Sequence, residues 1–318
     1  MAYKTTVATL PFGQTYYNNL LNDRALPEIV YGQFGDEKPL PKNNGKIIDF
    51  RRFESFAAAT VALTEGTTPN PSDYTVNHVS ATVDQYGRTA GITDMVDFTK
   101  PDDHLTELTE MLGENKGNTY DIIIRNAVVP NTTSLYGGAA AGIITLGAAT
   151  VAGIVLDAVM VDKAVRVLRN ADAQFWTRAI RSGPGENSFP IEPAYFAVTH
   201  PNISYTVRNF TDFRPVAAYA KPSEMMQGEY GAYKNVRFCE STNGYTAAAG
   251  VDYYTAFFAK HAFAKVPLSG MDGKLYFHGF GSGDDVLEQR ATVGWKGAWT
   301  AAILNDAFMV VVRTRAEA

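Results

Sequence analysis

The stretch that most constrains this chain is residues 101–128, PDDHLTELTEMLGENKGNTYDIIIRNAV. Apolar residues recur at helical spacing, first Leu105, Leu108, Met111 and Leu112, then Tyr120, Ile122, Ile123 and Ala127. Pro101 suits the first helical position, where a missing N–H costs nothing. Asp102 and Asp103 sit at the positive end of the dipole and Arg125 near the negative end, and Pro130 stops the run. The spacing predicts one helix roughly 40 Å long at 1.5 Å per residue, well above the average for globular proteins. Gly113 and Gly117 weaken its middle by about 1 kcal/mol each relative to alanine. Such a helix is either a buried scaffold in an ordinary domain or a spine on which long strands lie, and its flanks decide.

Upstream, residues 1–35 read as an arm. Helical periodicity within 14–30, at Tyr17, Leu20 and Leu21, breaks at Pro27, and the segment is too short to own a core. It is expected to be ordered by lying on something else, such as a neighbouring subunit. After a linker over 36–42, residues 46–53 read as a strand, with Ile48 and Phe50 on one face and Asp49 and Arg51 on the other. Residues 57–63 form a second extended run, and the turn TEGTTPNP follows. The chain returns through 74–83 and on to Asp97. Val76 is out of phase with Val79, Ala81 and Val83, which predicts a bulge near Asn77-His78. These runs make a long two-stranded ribbon with no apolar mass at its tip. A lone ribbon is marginal in water, so it needs a surface, and no internal one is evident. This is the main indication of an assembling protein.

Downstream, residues 135–156, LYGGAAAGIITLGAATVAGIVL, carry no charge. The run is dominated by glycine and alanine and lacks flanking aromatics or a basic cluster, so a close-packed loop or hairpin is expected rather than a membrane span. Residues 157–173 read as an amphipathic helix with the stripe Val161, Ala164, Val165 and Leu168. Residues 181–193 read as a loop, 195–199, 236–240 and 253–259 as strands, and 202–210 as a short helix. Residues 157–270 therefore look like a separate α/β domain. At the end, 291–304 and 307–313 read as strands of a hairpin turning at Asn305-Asp306, and 308–312 is apolar on both faces, as a buried strand is.

The chain has 318 residues, 46% of them hydrophobic and 19% charged, which is a globular composition. Its net charge of −5, from 28 basic and 33 acidic residues, lacks the basic excess of a protein that grips nucleic acid. Cys239 is the only cysteine, so neither an internal disulfide nor a cysteine-based zinc site can form, and it reads as a small apolar residue in a strand. The N-terminus shows no signal peptide. No phosphate loop, H-E-x-x-H or G-x-S-x-G motif occurs, and the five histidines lack ligand spacing. The glycine-rich run 279–283 is followed by Asp284 and Asp285, which would repel a phosphate; with Glu288 these read as a solvated acidic loop before a cation site. Asp102-Asp103 is a helix start before it is an acid/base pair. Trp295 and Trp299, among small residues, read as core or interface anchors. No catalytic, cofactor-binding or metal-ligating residue is expected.

In order, the segments ALPEIVYGQFG (25–35), KPLPK (38–42), GKIIDFRRF (45–53), LTEG (63–66), QYG (85–87), ITD (92–94), QRATVGWK (289–296) and ILN (303–305) resemble tailed-bacteriophage major capsid proteins of the branch typified by phage N-four. The resemblance covers about 25–125 and 195–318 and departs most over 131–195. It implies an α+β chain with the Hong Kong 97-like capsid fold. The parts are an N-terminal arm (1–44), an extended β-hairpin loop (45–92), a peripheral domain (93–156 and 271–318) holding the spine helix 101–128, and an axial domain (157–270). It implies a shell protein that self-assembles as pentamers and hexamers into an icosahedral head around double-stranded DNA, without cofactor, membrane or sequence-specific binding. A portal and decoration proteins are implied partners. Because the chain starts directly at the arm, any scaffolding protein is expected to be separate. The implied location is the virion, after assembly in the host bacterial cytoplasm. Intersubunit contacts are expected at Tyr16 and Tyr17 in the arm, at Arg51, Arg52 and Glu65 in the ribbon, and at Trp295. The readings weighed against a shell are an enzyme with a cryptic site in the axial domain and a membrane-associated protein using 135–156.

Overall fold

The computed structural model describes residues 29–54, 56–63, 65–66, 68, 71, 73–99, 104–132, 134–136, 155–177, 192–219, 225–247, 252–271, 273–281, 285 and 287–316. In chain order the first half contributes strands β1 (Asp36–Glu37), β2 (Ile47–Phe53), β3 (Val76–Thr82) and β4 (Asp84–Thr93), helices α1 (Asp94–Thr99) and α2 (His104–Val128), and strand β5 (Ser134–Tyr136). Helix α3 (Ala158–Asn170), β6 (Tyr195–Thr199), α4 (Pro201–Arg208), β7 (Phe213–Pro215), β8 (Glu229–Tyr233), β9 (Val236–Glu240) and β10 (Thr246–Ala247) follow. The chain ends in β11 (Asp252–Phe258), β12 (Phe263–Pro267), β13 (Lys274–His278), β14 (Arg290–Ile303) and β15 (Met309–Arg315).

The predicted long helix is α2, 25 residues or about 38 Å at 1.5 Å per residue. Pro101, Asp102 and Asp103 lie outside the described residues. A 3-10 turn containing Pro130 ends it, as expected of a residue that cannot continue the ladder. Its apolar residues serve two different cores. Leu112 packs with Val293, Trp295 and Trp299 of β14, with Tyr120 and Ile123 against the same cluster. From neighbouring positions, Ile124 and Val128 pack with Phe196, Val198, Phe258 and Val311 of another sheet.

The first of these sheets has five strands with β14 at its centre. Strand β4 runs antiparallel along one edge of β14, from Arg290↔Thr93 to Trp299↔Asp84. Strands β13 and β12 pair with successive parts of its other edge, and β1 lies parallel to β12. Gly297 is required here, because a Cβ on it would meet the Trp299 ring at 1.9 Å. The second sheet has eight strands in the order β5-β15-β11-β6-β9-β8-β7, with β10 on β11. One of its faces carries Tyr195, Ala197, Phe257, Val310 and Val312 against α3 and α4, and the other carries Phe196, Val198, Phe258, Met309 and Val311 against α2. Both faces are covered, so β6, β11 and β15 read as continuous apolar runs. Helix α3 buries Val161, Ala164 and Leu168 of the predicted stripe.

Several expectations fail on pairing. The segments 291–304 and 307–313 do not form a hairpin: β14 belongs to the five-stranded sheet and β15 pairs along its length with β11. A 3-10 turn, Asp306–Phe308, capped by the Asn305 side chain, redirects the chain between sheets. Strand pairs cross residue 270 in both directions, since β12 pairs with β14 and β11 with β15. The ribbon has no bulge at Asn77. Its register runs unbroken from Ile47↔Thr82 to Phe53↔Val76, and Val76 is out of phase because it faces Phe53 on the outer side. The return run is two elements, β3 in the ribbon and β4 in the five-stranded sheet, and Asp94 opens a helix. Residues 57–63 form no strand. The glycine-alanine run lies outside the described residues from 137 to 154, as do 178–191; no helix among the described residues is long and apolar enough to cross a membrane.

A buried carboxylate ties the chain before β1 to α2. Asp121 accepts the backbone N–H of Tyr31 at 2.7 Å and of Gly32 at 3.3 Å, and Asn243 Nδ2 donates to its other oxygen at 3.5 Å. Gly32 permits the approach, since a Cβ there would lie 3.0 Å from the Tyr120 ring. Burial pushes the Asp121 carboxyl up to about 6, against the hydrogen bonds that lower it. A carboxyl raised in the folded chain favours folding when protonated, so stability falls as pH rises from about 4 to about 6 and the loss stays above that. A rise of that size corresponds to about 3 kcal/mol. Asp121→Asn keeps an acceptor for Tyr31 and removes the charge. It is expected to unfold at a higher temperature than the wild type at pH 7.5 and to equal it near pH 4, as thermal unfolding at the two pH values will read.

Candidate assembly surfaces

The ribbon β2–β3 divides into a supported base and an unsupported remainder. At the base, Ile48 and Phe50 pack on a small core of Leu40, Val83, Val266 and Ala298, so the chain does supply part of the surface that the sequence did not reveal. The last rung is Glu54 N–H to Thr75 O at 3.1 Å. Past Arg51 the outer face carries Phe53 and Tyr74, ring against ring at 6.0 Å and each 65% exposed. Beyond the rung Phe56, Val61 and Leu63 are 65%, 85% and 78% exposed. Large apolar side chains contiguous along a projecting element mark an interaction surface.

Arg51 pairs across the ribbon with His78 and Arg52 with Asn77, which puts the two guanidiniums on opposite faces. Both are exposed, and neither has a salt bridge among the described residues. They border a cleft of about 760 Å³ between the ribbon and the body, walled by Phe50, Phe53 and Phe308 and closed by His261 and Asp172. Glu65 lies in the turn at the ribbon's far end and is exposed. Tyr16 and Tyr17 lie outside the described residues. Trp295 is a correction. It is 3% exposed, stacks on Trp299 at 5.7 Å and donates from Nε1 to Asn115 Oδ1 of α2 at 3.2 Å, so it anchors the chain's own core. The sequence showed its anchoring character but not which body it anchors.

The buried ionisable groups of the eight-stranded sheet satisfy one another. Arg237 donates from Nε and Nη2 to the two oxygens of Glu229 at 2.7 and 2.6 Å. The Tyr219 hydroxyl and the Met226 N–H also donate to that carboxylate, at 2.7 and 3.0 Å. Burial pushes the Tyr219 hydroxyl up, and the Cys239 thiol likewise. Asp252 accepts from Arg313 and Arg315. His200, pushed down by burial, accepts the Asn202 N–H at the start of α4. Asp285, in the acidic loop, accepts the Arg290 N–H at 2.7 Å. These groups are fixed as structural partners. Neither Glu229 nor Asp121 was singled out in the sequence; the one available signal was Arg237 inside the otherwise apolar run 236–239. Arg237→Met leaves Glu229 buried without its countercharge. It is expected to cost about 3–5 kcal/mol in urea unfolding, with Glu229→Gln in the same chain recovering most of the loss.

Comparison with known proteins adds to this geometry. A family profile described as phage capsid protein matches residues 78–312. No curated protein matches the chain in sequence. Among solved structures, the capsid of Ralstonia phage GP4 superposes with a TM-score of 0.63 at 14% identity, covering 92% of this chain and 88% of that one. The head structure of Helicobacter pylori bacteriophage KHP40 gives 0.62 at 11%, covering 97% and 98%. The capsid of cyanophage P-SCSP1u gives 0.62 at 14%, covering 91% and 88%. The likeness in fold runs over nearly the whole length of the chain.

Proposed function

The chain belongs to the phage capsid protein family, and on that premise we propose that it is the major capsid protein of a tailed double-stranded DNA bacteriophage, closing as pentamers and hexamers into an icosahedral shell. Its fold is the Hong Kong 97-like capsid fold. The observation that carries the reading is the ribbon. It projects, exposes aromatics and arginines, and is supported only at its base. Such an element does little for a monomer and is a natural contact for a neighbour.

In this reading 1–44 is the arm, 45–92 the extended loop, 93–156 with 271–318 the peripheral domain and 157–270 the axial domain, with β12 and β15 stitching the last two together. The contacts with neighbours come from Arg51, Arg52 and Glu65, and from Tyr16 and Tyr17 of the arm. The shell assembles in the bacterial cytoplasm with a scaffolding protein and a portal, and decoration proteins bind it afterwards. A net charge of −5 suits a wall that encloses DNA without holding it, since each Lys or Arg contact to phosphate adds salt-dependent affinity.

The test is assembly of purified protein, read by sedimentation and electron microscopy. Closed shells or capsomer rings support the reading, and compact monomers under all assembly conditions overturn it. Reversing a ribbon arginine puts a repulsive or unpaired charge into each contact, at roughly 2–5 kcal/mol per contact, and the cost repeats around the shell. Arg51→Glu and Arg52→Glu are expected to give soluble protein with native circular dichroism that sediments as unassembled subunits. Unfolded protein would mean that the arginines serve the monomer, and normal heads from both variants would remove them from the interface.

A further inference from the structure

The dipeptide Asn-Gly occurs twice in the chain, at Asn44-Gly45 and at Asn243-Gly244. Asparagine is a thermolabile residue. It is most open to attack by its own main chain before glycine, which has no Cβ to crowd the attacking nitrogen. The structure treats the two copies in opposite ways.

Asn243-Gly244 is locked. The Gly244 N–H donates to Ser241 O at 3.1 Å, so the attacking nitrogen is occupied. The Asn243 side-chain amide donates to Asp121 Oδ2 at 3.5 Å, its backbone N–H to Ser241 Oγ at 3.2 Å, and its carbonyl accepts from Arg125 Nη1 at 2.6 Å. Gly244 is buried against His200, which a Cβ would meet at 2.8 Å. Asn44-Gly45 has none of these restraints. Residues 41–47 are exposed, and neither the Asn44 side chain nor the Gly45 N–H has a partner among the described residues. Gly45 takes φ +81°, and a Cβ on it would meet nothing within 4 Å, so the turn has room to bring Gly45 N onto Asn44 Cγ.

From the free turn and the locked one, we infer that Asn44 is a site of spontaneous covalent modification, deamidating to aspartate and isoaspartate in the folded protein while Asn243 is preserved. Gly45 N bonds to Asn44 Cγ, the Cγ–Nδ2 bond breaks, and the amide nitrogen leaves as ammonia with the proton from Gly45 N. Water then opens the cyclic imide at either carbonyl. Opening at the main-chain carbonyl routes the backbone through the side chain and lengthens it by one methylene. The position gives this change its effect. On one side Leu40 is fixed to the five-stranded sheet, donating to Pro267 O at 2.9 Å and accepting from Ser269 N at 3.0 Å. On the other, Lys46 O accepts the Val83 N–H at 2.9 Å where the ribbon begins. Residues 41–45 link the two, so the modification alters the root of the ribbon, and either product places a negative charge between Lys42 and Lys46.

Peptide mass spectrometry of the folded full chain, aged at mildly alkaline pH, tests it. Cleavage after glutamate releases residues 38–54, and cleavage after lysine and arginine releases 238–260. Peptide 38–54 is expected to gain the mass of an amide-to-acid exchange about tenfold or more faster than 238–260, because Asn243 must first break the Gly244 hydrogen bond and leave its partners. In guanidinium chloride the two rates are expected to converge. Asn44→Gln is expected to abolish the gain in 38–54. Equal rates in the folded chain, or a peptide 38–54 that converts only in denaturant, overturn the inference. Rates that stay as far apart in denaturant also overturn it, since the difference would then belong to local sequence and not to the fold. A gain that survives Asn44→Gln would give the reaction to Asn43 and overturn the assignment.

Discussion

The structure depends on one helix being shared by two cores. α2 gives Leu112, Tyr120 and Ile123 to the tryptophan-rich face of the five-stranded sheet, and Ile124, Ala127 and Val128 to the eight-stranded sheet. Neither sheet could be displaced along the helix without emptying the contacts of the other, because packed interiors tolerate little change in volume. Tyr120 sits at the join and touches both clusters, and Asp121 beside it fastens the entering chain. The glycines at 113 and 117 weaken the helix intrinsically, so packing on both sides must hold it.

This arrangement separates a rigid body from a projecting part. The eight-stranded sheet is covered on both faces and its charges are paired internally. The ribbon leaves that body at Val83, rests on a four-residue buried cluster and then runs out with its apolar side chains in water. Local stability follows buried contacts, so the body is expected to be the same in the free subunit and the shell, and the ribbon to be completed by its neighbours.

Much of the layout was legible in the sequence because it rests on periodicity. The helix was visible from Leu105 to Ala127, α3 from its stripe, and β15 from being apolar on both faces. What failed was pairing. Residues 291–304 and 307–313 are adjacent and end at Asn305-Asp306, which suits a hairpin, yet the partners of each lie far away in sequence and no local signal names them. Val76 looked like a slip in register because phase shows which face a residue takes and not why; its partner Phe53 is outward too. Trp295 looked as fit for an interface as for a core until Asn115 and Trp299 were placed around it. Asp121 and the Glu229–Arg237 pair were illegible because a charged residue in a sequence reads as surface, and only the fold shows what surrounds it.

The body is complete in one chain and the ribbon is not. Hydrogen–deuterium exchange compared between unassembled subunits and purified particles tests it most directly. Amides over 54–75 are expected to exchange rapidly in the subunit and to become protected in the particle, while those of α2 from 112 to 128 and of β6, β11 and β15 are slow in both. Ribbon amides equally protected in the subunit, or equally unprotected in the particle, would contradict it.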